Sequence, residues 1–132
     1  MTDSSRRYRV ALAGIVLVYL ALAVQYARLT PPWQAPDEPA HFNYVKYVAE
    51  HGTLPILQPG DFPAEYLEEI KARRFPPDMS IEPIRYEAWQ PPLYYLLAAI
   101  PYRLVATWPL RHQLLGLRLL SVAFGALLLP VA

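Results

Sequence analysis

Cysteine is absent from the chain. Neither a disulfide framework nor a thiolate metal site can be built from it, and the absence suits either side of a membrane. Charge is scarce too: Asp, Glu, Lys and Arg make up 17% of the residues, against roughly a quarter in soluble domains. No basic cluster exists beyond Arg6, Arg7 and Arg9, and the net charge is +1, so nothing points to nucleic acid as a partner. No two histidines stand four residues apart on one helix face, so a divalent metal is unsupported by these residues. Internal repeats and low-complexity segments are also missing.

Apolar residues are abundant, and they are gathered into blocks. The first, 10–28, opens with "VALAGIVLVYLALAVQYA", a stretch without charge and close to the ~20 residues that cross a bilayer. A cleaved signal peptide with "ALA" at 21–23 is the competing reading. "RRYR" precedes the block, and basic residues collect on the cytoplasmic side. The expected order is therefore a cytoplasmic tail at 1–9, a first transmembrane helix at 10–28 and an extracytoplasmic loop at 29–92. That loop holds ten acids against five bases.

The second block, 93–110, is interrupted by Pro101 and Arg103. It reads as a kinked span with Arg103 reaching the headgroups, or as a re-entrant segment. Residues 111–113 would be a short cytoplasmic loop, and 114–132 an incomplete third transmembrane helix, still apolar at its end. The fold class expected is all-α, a multi-pass membrane protein in the cell membrane with short juxtamembrane helices in its external loop. The chain reads as the N-terminal piece of a larger bundle, or as a truncated product of its gene.

Within the loop, Asp37 or Glu38 can cap a helix with Pro39 in its first turn and Gly52 as its stop. Its apolar face, Phe42, Val45, Val48 and Ala49, suits a helix lying among lipid headgroups. A second helix over 63–74 puts Tyr66, Leu67 and Ile70 on one side. The pairs Glu68/Lys71 and Glu69/Arg73 fall on the other, which makes it look solvent-facing. The stretch "RFPPDMSIEPIRYEAWQPP" carries too many prolines for a regular element. Trp33, Trp89, Trp108 and the tyrosines fit an interfacial aromatic belt.

Asp37-Glu38 has two readings. It can cap the helix, or it can hold a carboxylate at the membrane surface, where it takes a proton from a hydroxyl or holds a cation. His41, one turn on, is either a surface hydrogen-bonding residue or a contact for a ligand.

The order of the parts matters. A basic tail, a first span, "PDEPAHFNYVKYVAEHGTLPIL", a polar loop, "QPPLYYLLAAIPYRL" and "LRLLSVAFGALLL" follow one another across nearly the whole chain. This order resembles the opening of the GT-C membrane glycosyltransferases, in particular glycosyltransferase family 39, the protein mannosyltransferase and aminoarabinose transferase group. The resemblance implies sugar transfer from a polyprenyl-phosphate donor to an acceptor at the outer face. It implies Asp37 as general base and Glu38 as the residue that fixes the loop. The residue before "PPL", here Gln90, would lie near the lipid phosphate. It is often His or Lys in such enzymes, so Arg85 or a residue elsewhere would have to bring the charge. His41, Arg85 and Gln90 are thus the expected substrate contacts. By itself the present chain is expected to be inactive. The rival expectation is a non-enzymatic polytopic protein, a transporter or assembly subunit, whose loop contacts a partner.

Overall fold

The computed structural model describes residues 3–131 and is all-helical. Five α-helices, α1 (Asp3–Leu29), α2 (Glu38–His51), α3 (Ala64–Ala72), α4 (Leu93–Val105) and α5 (Leu110–Leu128), are joined by loops that include one 3-10 turn at Tyr86–Trp89. No strand occurs among the described residues.

α1 follows from a long apolar run without proline. Its 27 residues reach about 40 Å at 1.5 Å per residue, more than the ~30 Å hydrocarbon core of a bilayer. Most of its large side chains, Val10, Leu17, Val18 and Leu22 among them, are exposed. Among the described residues it is the one helix long and apolar enough to cross a membrane. α5 lies along it. Tyr19 on α1 donates its hydroxyl to the Val122 carbonyl at 3.3 Å. Its ring covers Gly125 so closely that a Cβ there would sit 2.0 Å from the Tyr19 oxygen.

α4 has 13 residues and so covers only about 20 Å. It ends at Val105, not at 110. The turn between α4 and α5 falls at 106–109, and residues 111–113, expected as a loop, form the first turns of α5. Pro109 explains the shift: it cannot continue α4, and it sits just before the start of α5. Arg103 does not reach outward alone; its Nε donates to the Ala49 carbonyl near the end of α2 at 2.9 Å.

α2 stops at Gly52, whose φ of 68° places it in the left-handed region and whose N–H bonds the Val48 carbonyl. Its apolar face is not on a lipid surface. Phe42, Tyr44, Val45 and Val48 pack against Tyr95, Ala98, Ala99 and Tyr102 of α4 and Leu114 and Leu117 of α5. The same amphipathic period serves a protein core or a membrane surface, and here α4 supplies the core. Trp33 belongs to this core as well, edge-on to Phe42 at 5.3 Å, whereas Trp89 and Trp108 are exposed.

α3 faces solvent on one side only. Leu67 and Ile70 are buried with Ala40 and Ile84 in a second cluster. The outer side carries Glu68–Lys71 at 3.3 Å and Glu69–Arg73 at 3.7 Å, both exposed pairs worth little to stability.

Candidate functional site

The Asp37-Glu38 pair sits where the chain leaves α1 and turns into α2. Asp37 adopts φ 59°, in the left-handed region, which aspartate tolerates better than most residues. Neither acid caps α2 with its side chain. The Asp37 side chain makes no cap bond, and only its backbone carbonyl is used, by the His41 N–H at 3.1 Å. The two carboxylates instead diverge into separate hollows.

Glu38 faces a cavity of about 690 Å³ between α2, α4 and α5. Its carboxylate meets Arg118 of α5 in a fork, Nε to Oε1 at 2.6 Å and Nη2 to Oε2 at 2.8 Å. Oε2 also accepts the Trp33 N–H at 2.8 Å. That bond holds Trp33 at φ 66°, a strained conformation for a bulky residue that costs about 1–3 kcal/mol. Arg118 then turns its remaining N–H groups on the end of α1 and the segment after it. Nη1 donates to the carbonyls of Ala27 at 3.0 Å and Thr30 at 2.6 Å, and Nη2 to that of Pro31 at 3.1 Å. A guanidinium has five N–H donors, and all five are engaged. Both side chains are largely shielded, 16% and 13% exposed.

The same cavity holds His41 and Gln90, with Phe42, Leu93, Tyr95 and Leu117 among its apolar walls. His41 Nδ1 is 2.7 Å from the Tyr95 hydroxyl. When Tyr95 donates to Nδ1, the neutral imidazole carries its hydrogen on Nε2. Gln90 Nε2 donates to Glu87 Oε2 at 2.8 Å, which leaves its second amide hydrogen unengaged. Gln90 is held from behind, because its backbone carbonyl accepts the Tyr44 hydroxyl at 3.3 Å.

Asp37 lines a smaller cleft of about 270 Å³ with Tyr86, Lys71 and Phe75. Its Oδ1 accepts the Tyr86 hydroxyl at 2.5 Å. Burial, and next the hydrogen bond to Asp37, raise the Tyr86 pKa above its ordinary value, so Tyr86 stays a donor. Ala35 and Pro36 line both hollows, so the cleft of Asp37 and the cavity of Glu38 adjoin across one turn of chain.

The structure thus brings Glu38, His41 and Gln90 into one cavity and Asp37 to its border. It does not bring Arg85 there. Arg85 Nη2 pairs with Asp61 Oδ1 at 2.8 Å and lines a third hollow. Sequence reasoning missed Arg118 and Tyr86. Arg118 carried a signal, since a lone arginine amid "LLGLRLLSVAFG" is an expensive residue that needs a partner. Tyr86 carried none. Among the described residues no group of three or more His, Asp or Glu side chains converges as a metal-ligand set. No protein-family model, curated protein or solved structure matches this chain.

Proposed function

We propose that this chain provides the donor cavity and general base of a membrane glycosyltransferase acting on a polyprenyl-phosphate sugar. The observation that carries the reading is the adjoining pair of hollows at Asp37-Glu38. One is large, apolar-walled and supplied with hydrogen-bond donors. The other opens on a carboxylate with an unengaged oxygen. Both stand at the end of a helix of membrane length.

In this reading α1 spans the cell membrane with Arg6, Arg7 and Arg9 in the cytoplasm, and residues 29–92 lie outside. α4 and α5 belong to a multi-pass bundle, and the prenyl tail stays in lipid. His41 Nε2–H and the second Gln90 amide hydrogen donate to the phosphate oxygens. Arg118 has no N–H left for them; with Glu38 it bolts the loop to α1. The acceptor hydroxyl gives its proton to Asp37 Oδ2 while its oxygen bonds the anomeric carbon. The bond from that carbon to the phosphate oxygen breaks, and the electron pair leaves with the phosphate. A phosphate leaving group needs no proton, so one base and a few donors suffice. Tyr86 holds Asp37 Oδ1 and thereby aims Oδ2.

The test is sugar transfer from polyprenyl-phosphate donors in native membranes by the multi-pass bundle that contains α4 and α5, with and without substitutions in this chain. Asp37→Asn should lower the rate about 10²–10⁴-fold, the usual worth of a general base, with the protein still folded, because the side chain caps nothing. A normal rate in that variant overturns the role of Asp37. Absence of transfer by the multi-pass bundle that contains α4 and α5, with every donor, favours a transporter or assembly subunit.

A further inference from the structure

α2 separates two unlike hollows. Residues 38, 41, 42 and 45 face the cavity of Glu38, and residues 40, 43, 44 and 47 face a third one of about 470 Å³. At helical spacing these two sets lie on opposite sides of the helix. The third cavity is not part of the proposed reaction centre.

Its floor is built rather than open. Asp61 is 4% exposed, and both its carboxylate oxygens are engaged, Oδ1 by Arg85 Nη2 at 2.8 Å and Oδ2 by the Gln58 N–H at 2.7 Å. The Arg85 N–H adds a bond to the Asp61 carbonyl at 3.0 Å. Arg85 is therefore fixed at its root, yet its side chain is 55% exposed, and Nε and Nη1 have no partner among the described residues. Asn43, also buried, uses both amide hydrogens on the carbonyls of Ile81 and Ile84, at 2.6 and 2.9 Å, which leaves Oδ1 as an acceptor. The Tyr47 and Thr53 hydroxyls and the Gln58 side-chain amide line the same hollow, with no hydrogen-bond partner among the described residues. Tyr rings and the aliphatic side chains of Leu54 and Ile56 complete the walls.

We infer that this third cavity binds the sugar ring of a neutral glycan. Its lining offers both donors and acceptors, as a sugar's hydroxyls require, and apolar and aromatic side chains for its C–H faces. Asp61 already neutralises Arg85, so an anion gains little there. The volume is in the range of small-molecule sites, roughly 300–1,000 Å³. The inference stands on this cavity alone and not on glycosyl transfer by Asp37.

The test uses the full chain in lipid nanodiscs free of glycoside detergent. Glucose, mannose, galactose and N-acetylglucosamine are titrated by saturation-transfer NMR, with inorganic phosphate as a separate arm. At least one sugar should bind in the millimolar range. Gln58→Ala and Arg85→Lys should each weaken it about 2–10-fold, the worth of one or two net hydrogen bonds. Ser121→Ala, in the other cavity, should leave it unchanged. The Gln58 side chain is exposed, so its variant should melt with the parent protein. No sugar bound at tens of millimolar, binding indifferent to Gln58 and Arg85, or phosphate bound in place of sugar each overturns the inference.

Discussion

Arg118 and Arg85 each meet a carboxylate at short range, on opposite sides of α2, yet the two pairs differ in what they leave over. Arg118 engages all five N–H groups with Glu38 and three backbone carbonyls and is mostly shielded. Arg85 engages one end of its guanidinium with Asp61 and presents the other to a cavity. A saturated pair fixes the chain; an unsaturated one keeps binding capacity. The presence of an ion pair near a hollow therefore says little until its donors are counted.

Removal of each arginine sharpens this contrast. Arg118→Met should give the largest effect, a loss of about 3–5 kcal/mol, because it strands a shielded Glu38 carboxylate and frees three carbonyls. Chemical denaturation of the protein in nanodiscs measures it. Arg118→Lys should recover only part, since an ammonium cannot reproduce the fork. Arg85→Met should cost less, about 1–3 kcal/mol, because the buried Asp61 carboxylate keeps the Gln58 N–H as its remaining partner. Equal losses at the two sites would erase the distinction drawn between them.

The two acids of the turn give a smaller pair of effects on stability. Glu38→Gln keeps the shape but loses the charge facing Arg118, and its melting temperature should fall clearly. Asp37→Asn should melt within about 0.5 kcal/mol of the parent protein, because asparagine tolerates the left-handed turn and its amide oxygen still accepts the Tyr86 hydroxyl. A large drop for Asp37→Asn would mean that its side chain caps α2 after all.

The smallest effect is at alkaline pH. Tyr86 has its pKa raised from 10.0 by burial and by Asp37. A group protonated more readily when folded contributes stability that is present below its unfolded pKa and is lost as pH rises through its folded value. The melting temperature should therefore hold up to about pH 10 and decline above it. Tyr86→Phe should make that decline shallower; an unchanged slope would show that folding does not raise the Tyr86 pKa.

Much of the scaffold was legible beforehand. An uninterrupted apolar run gives α1, and Pro39 and Gly52 bracket α2, because these signals are local. What α2 packs on was not legible, since an apolar stripe looks the same whether lipid or α4 covers it. Asp37 and Glu38 could be picked out as a pair. Their divergence could not, because it depends on a left-handed turn at Asp37 and on Arg118, far along the chain. That Arg85 lines a different hollow from Gln90 was not legible for the same reason: its partner, Asp61, is remote in sequence and close only after folding.

The contacts between α1 and α5 have a geometric consequence. Tyr19 rests on Gly125 near one end of the pairing, and Arg118 grips Ala27 and Thr30 near the other. The stretch of α1 between them works as a ruler with two fixed marks. One inserted residue there would advance the helix by 1.5 Å and rotate everything beyond it by about 100°, so both marks could not be kept. Insertion of a full turn, four residues, would restore the phase but raise the loop by about 6 Å. The position of the Asp37-Glu38 turn along the α1–α5 pairing is thus written into the residue count of α1, and length changes there should be tolerated far less well than changes of side chain.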